Sequence, residues 1–125
     1  MDRVVIFVLC ICLFIAGATH IFDNLYYGFL PYKFAPEWIN FYWTVLAVID
    51  IVAVYLLVKH RNVGLMLTLI IMFSDVAINS FAFYSLSIVS DSFALQLQTL
   101  FLGFCIGSSI WLWQPNTKAT VINVT

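Results

Sequence analysis

The chain has 125 residues, of which 64% are hydrophobic and 9% charged, and a formal net charge of −1. Soluble domains use about 25% charged residues, so this composition excludes a water-soluble globular domain and predicts a single integral membrane domain over residues 1–125. Five basic residues with no basic stripe exclude a nucleic-acid binder.

The first apolar run covers residues 4–24, long enough for a span of about 20 residues. A signal-peptide reading competes with it, because Met-Asp-Arg precedes an apolar stretch that ends in Ala16-Gly17-Ala18. The span is preferred: Asp2 cancels Arg3 in the leader, and the hydrophobic run continues through Ile21 and Phe22. On this helix Leu13, Ala16, Gly17, His20, Asp23, Asn24 and Tyr27 form one stripe, small below and polar above. His20, Asp23 and Asn24 stand at i, i+3 and i+4, where a histidine and a carboxylate could move a proton between them. The plainer reading, an interfacial histidine and a helix-end carboxylate reaching water, stands beside it.

Residues 26–37, YYGFLPYKFAPE, carry two prolines and five aromatics and are too broken to span. Such rings suit the headgroup layer. Pro36 is expected in the first turn of the next helix, with Glu37 complementing its N-terminal dipole. The second span covers 38–58. Trp38, Tyr42 and Trp43 are expected as an interfacial aromatic belt at its upper end, and Asp50 lies about 18 Å deeper, near the midplane.

Lys59 to Asn62 makes a tight connection, so the second and third helices should be antiparallel neighbours. The third span, 63–84, contains LMLTLIIMFSDVAINSFAFY, apolar throughout except for Asp75 and Asn79 near its middle and small hydroxyls. A lipid-facing carboxylate at that depth costs at least ~2.5 kcal/mol, so Asp75 should face other helices or a wet cavity. Asn79, one turn on, shares its face. If Asp50 and Asp75 converge, one keeps a proton or both bind a cation. The bland alternative is a hydrogen bond from each acid to a neighbouring helix, with Asn79 or Gln96 as partner.

A Ser-rich stretch, 85–92, precedes the fourth span at 93–113, with Asp91 as its expected cap. Gln96, Thr99, Gly103 and Gly107 share one side, and the Gly103 to Gly107 spacing permits a homodimer contact. Cys10, Cys12 and Cys105 sit inside apolar segments and behave as small hydrophobes. Cys10 and Cys12 point about 200° apart on a helix, and His60 lies at the opposite end from His20, so no metal site and no cofactor are expected. Phosphate loops and nucleophile elbows are absent from the sequence, which disfavours an ATPase or hydrolase.

The expected fold is therefore all-α: a polytopic membrane protein, a four-transmembrane-helix up-down bundle. Arg3, Lys59, Arg61 and Lys118 fall on one side and Lys33 alone on the other, which predicts both termini in the cytoplasm, in a bacterial inner-type membrane.

Four short spans, His20 and Asp23 atop the first, an aromatic connection ending Ala35-Pro36-Glu37-Trp38, and Asp50 within the second helix resemble the DoxX-like and EXPERA-like four-helix membrane proteins. The resemblance covers the topology with loose motifs. It implies acids and aromatics, here Asp23, Asp50, Trp38 and Trp43, lining a lipid-accessible cavity that holds a sterol or an amine. The chain departs from it in being shorter, in using Asp where the isomerases use Glu, and in carrying Asp75 and Asn79. The small multidrug transporters, of similar size, depend on a glutamate within the first helix, and residues 4–19 hold no acid.

The expected function is an intramembrane polar cavity, built from Asp75, Asp50, Asn79, His20, Asp23, Asn24, Trp38, Tyr42 and Trp43, that binds a small amphipathic or lipidic ligand. A proton- or cation-coupled small transporter and a membrane anchor for a partner protein are the alternatives. If the chain is an enzyme, an isomerase-type proton transfer fits these groups.

Overall fold

The computed structural model describes residues 1–115, and Lys118 lies outside them. Four helices follow one another: α1 (Asp2–Tyr26), α2 (Glu37–Lys59), α3 (Arg61–Tyr84) and α4 (Ser92–Leu112). Each is long and apolar enough to cross a membrane. No proline interrupts any of them, and the breaks fall where the backbone leaves helical space. Gly28 and Leu30 take positive φ in the first connection, and Ser87 does so in the third. Between α2 and α3 a single residue, His60, turns the chain with φ −138° and ψ 80°.

Helix ends are completed locally. Pro36 sits at the N-cap of α2, just outside the first turn expected for it, and its carbonyl accepts from the amides of Ile39 and Asn40, both at 3.0 Å. Glu37 opens α2 and Lys59 closes it, each matching the helix dipole. Asp91 caps α4 by accepting from the Ala94 amide at 3.1 Å, as expected from its position before the apolar run.

The helices pack in chain order, α1 on α2, α2 on α3, α3 on α4, and α1 touches α4 only sparingly. α2 is the most enclosed: Ile39, Trp43, Leu46, Ala53 and Leu57 meet Leu9 and Leu13 of α1 and Leu65, Ile71 and Met72 of α3. Gly64 brings the start of α3 directly against the α2 backbone at Leu56 and Leu57. Outward faces carry exposed Phe7, Phe14, Phe41, Ile70, Phe73, Leu100 and Ile110. A monomeric soluble protein rarely exposes contiguous apolar surface on that scale, whereas a lipid-embedded one requires it.

The two ends differ. At the end holding Met1, Asp2 lies 3.7 Å from Arg61 and accepts from the Trp111 indole at 3.0 Å. Asn62 and Gln114 exchange two bonds there, side-chain amide to backbone carbonyl and backbone amide back to side chain. α1, α3 and α4 are thus tied together at that end. Toward the other end α1 and α4 part.

Candidate functional site

The first connection folds back onto the helices because of a residue in α2. Asn40, buried, accepts from the Tyr32 amide at 3.0 Å and donates to the Leu30 carbonyl at 3.1 Å. This holds the Tyr32 ring over α1. Its hydroxyl donates to Asp23 Oδ2 at 2.8 Å and lies 2.8 Å from His20 Nδ1. A phenol has one proton, and Asp23 receives it, so Nδ1 of His20 must carry the hydrogen of the second bond. The other ring nitrogen, Nε2, makes no hydrogen bond among the described residues. Burial, reinforced by the hydrogen bond and charge of Asp23, pushes the Tyr32 hydroxyl well above the ordinary tyrosine range, so it remains a donor.

The expected couple of His20 and Asp23 is therefore bridged by Tyr32. Asn24 turns away from it, donating to the His20 carbonyl at 2.8 Å, while its own carbonyl oxygen is buried without a partner among the described residues.

A second cluster joins three helices. The Trp43 indole donates to Asn79 Oδ1 at 2.8 Å, and the Asn79 amide donates to Gln98 Oε1 at 2.8 Å and to Asp75 Oδ1 at 3.1 Å. Trp43 is 7% exposed, its ring edge-on to Tyr32 at 5.3 Å. It is a core residue linking the two clusters, not the belt residue its neighbourhood predicts. Trp38, 53% exposed and tilted against Phe81, keeps a belt-like setting. Tyr42 is half-buried and bonds Ser74 at 2.7 Å. Ser74 gives its own proton to the Ile71 carbonyl, so Tyr42 donates.

Asp50 is 2% exposed and packs against Gly17, where a methyl group would lie 3.1 Å from the Asp50 Cβ. No hydrogen bond reaches its carboxyl among the described residues. Asp50 and Asp75, on the neighbouring helices α2 and α3, line the same cavity.

Two cavities meet at these groups. The smaller, about 230 Å³, lies under the first connection and is lined by His20, Asp23, Tyr32, Trp43, Asp75 and Gln98 among others. The larger, about 1480 Å³, is the groove left where α1 and α4 part. Asp50, Asp75 and His20 line its interior, with Leu13, Ala16, Ile71, Met72 and Phe104 as apolar wall. His20, Asp75, Leu95 and Gln98 border both cavities. Trp38, Tyr42 and Asn24 line neither.

Tyr32, Asn40 and Gln98 carry much of this arrangement and are not among the sequence-derived candidates. The signal for Gln98 was its polarity in an apolar span, shared with Gln96. For Tyr32, between two prolines, headgroup-layer composition concealed the role.

Compared with protein-family models, curated proteins and solved structures, the chain matches none.

Proposed function

We propose that this is a membrane protein whose groove between α1 and α4 binds a small amphipathic or lipidic ligand, entering laterally from the bilayer. The observation that carries this reading is the groove itself: about 1480 Å³, apolar along its walls, with Asp75 and with Asp50, which has no hydrogen-bond partner among the described residues, inside. Small-molecule pockets span about 300–1,000 Å³, so this volume suits a ligand with an extended hydrocarbon part. Four spanning helices leave the groove's mouth facing lipid. A buried acid at such depth is a functional feature by default. Of the four positions that the DoxX-like and EXPERA-like resemblance points to, Asp50 lines this groove, Asp23 and Trp43 line the smaller cavity and Trp38 lines neither, so the resemblance stands as a proposal only.

The basic residues favour both termini in the cytoplasm of a bacterial inner-type membrane. Cysteines introduced at Ser87 and Asn116 should then react with an impermeant reagent from opposite sides; labelling of both from one side would remove the four-span topology. A homodimer through Gly103 and Gly107 would lay a second copy near the groove, since Gly103 lines it.

The test is thermal stabilisation of the purified protein across a library of lipids and amphiphiles. Stabilisation by chain-bearing ligands, lost when Ala16 is enlarged to Phe to fill the groove, is expected. Absence of stabilisation by every member would overturn the reading. The placement of two acids, Asp50 and Asp75, on one groove favours a second reading, a proton- or cation-coupled carrier, for which flux in liposomes under a proton gradient is the measurement.

A further inference from the structure

The smaller cavity lies between Asp75 and the end of the bundle where α1 and α4 part. Asp75 is fourteen residues from Arg61 and nine from Tyr84, so about 21 Å of α3 separates it from the Met1 end and about 14 Å from the other. The cavity covers that shorter distance: its lining begins at Asp75, Asn79 and Trp43 and reaches Phe34 of the first connection and Val89 and Asp91 before α4. Phe34 and Asp91 are exposed, so this end meets the surface.

Asn79 fixes one oxygen of Asp75 and leaves the other open. It donates to Oδ1 at 3.1 Å and spends its second N–H on Gln98, while no bond reaches Oδ2 among the described residues. Nearer the surface, the Gln98 amide nitrogen and His20 Nε2 likewise make no hydrogen bond among the described residues, and Asp23 holds the Tyr32 proton. These groups supply the two to four polar partners that a bound water needs, and about 230 Å³ holds several waters at ~30 Å³ each. The volume falls below the roughly 300–1,000 Å³ of small-molecule pockets, so water fits it better than an organic ligand does.

Toward the Met1 end the surroundings are apolar. Leu13, Ile71, Met72 and Phe104 line the groove there, and below them Asp2, Arg61 and Trp111 tie α1, α3 and α4 together. The titratable groups around Asp75 are His20 and Asp23 of α1, Tyr32 of the first connection, Asp50 of α2, Tyr42 of α2 bonded to Ser74, and Asp91 before α4. No lysine or arginine lines either cavity.

We infer that the smaller cavity is a water-filled vestibule through which the Asp75 carboxyl exchanges its proton with the solution at the Ser87 end, and with that solution alone. A hydronium at Oδ2 gives the carboxylate its proton and leaves water; release to water regenerates hydronium. A carboxyl within a membrane takes its charge state from the solution it contacts, so a one-sided vestibule makes the charge beside the groove follow the pH on one face of the membrane. The inference concerns a different cavity from the ligand groove and holds or fails apart from it.

Asp75→Cys places a thiol, itself a proton exchanger, at the inner end of the vestibule. The full-length variant in liposomes is treated from outside with an impermeant cationic methanethiosulfonate, and mass spectrometry separates label at position 75 from label on Cys10, Cys12 and Cys105. Ser87→Cys and Arg3→Cys report which end of each molecule faces out. Position 75 should label in the same fraction of molecules as Ser87→Cys. Only the thiolate reacts, so raising the external pH from about 6 to about 7 with the internal pH fixed should speed labelling about tenfold. Adding Ala94→Trp, which fills the smaller cavity and lies outside the groove, should abolish labelling, and adding Ala16→Phe, in the groove alone, should leave it. Gln98→Cys, on the same cavity, should give the same readings and decides the matter if Asp75→Cys does not fold. Absence of labelling at both positions, labelling in the fraction set by Arg3→Cys, or loss with Ala16→Phe instead of Ala94→Trp would overturn the vestibule.

Discussion

Gly64→Ala should unlock the bundle at the contact on which the α2–α3 pair depends. A methyl group on Gly64 would lie 2.6 Å from the Leu57 Cα and 2.7 Å from the Leu56 carbonyl carbon, where ordinary contact begins near 3.4 Å. The obstructing atoms are backbone, so no side chain can swing aside. The helices must separate by roughly 1 Å at that point, a gap that forfeits a quarter to a half of each dispersion contact beside it. Leu57, Leu65 and Thr68, each 1% exposed or less, pack in that neighbourhood. Overpacking costs about 1–3 kcal/mol, and a backbone obstacle puts this case near 3 kcal/mol, about 150-fold in the folding equilibrium. Gly103→Ala is the matched control: nothing lies within 4 Å of its added methyl, and alanine is the better helix former by up to ~1 kcal/mol. Unfolding free energies of both variants in the same bilayer mimetic are the measurement. A Gly64→Ala protein within about 0.5 kcal/mol of wild type would refute the close backbone contact between α2 and α3.

Asp75→Asn should preserve stability within about 0.6 kcal/mol, because the amide oxygen can still accept from Asn79, yet abolish ligand binding in the groove, which calorimetry of the variant checks. Asp91→Ala removes the α4 cap and should cost about 0.5–2 kcal/mol without altering ligand affinity, read from unfolding and binding side by side. Tyr32→Phe leaves His20 without its partner, so the nitrogen-15 shifts of the imidazole should lose the Nδ1–H signature that the wild-type ring shows. The wild-type Tyr32 should not ionise at the ordinary tyrosine pH of about 10, so ultraviolet titrations of wild type and Tyr32→Phe should coincide there. Because the folded chain holds that proton more tightly than the unfolded one, Tyr32 lowers stability as pH rises above about 10.

Length and hydropathy decided the helices without help from tertiary structure, since an apolar run of some 20 residues has one stable conformation in lipid and prolines and glycines mark its ends. Position along the helix was equally legible: rise per residue puts Asp50 and Asp75 near the middle of neighbouring helices, and both line the groove. Rotation was not legible. Trp38 and Trp43 are both aromatic residues at one helix end, and only the packing of α2 between α1 and α3 turns Trp43 inward to Asn79 and leaves Trp38 outside. Gln96 and Gln98 are two residues apart, about 200° around α4, and the choice of Gln98 as the Asn79 partner follows from how α4 leans on α3. Tyr32 reaches His20 and Asp23 because Asn40, on a different element, folds the connection back. The groove is the most tertiary feature of all. It exists because α1 and α4 are tied at one end by Asp2, Arg61 and Trp111 and part toward the other, a property of how four helices lean that no single helix encodes.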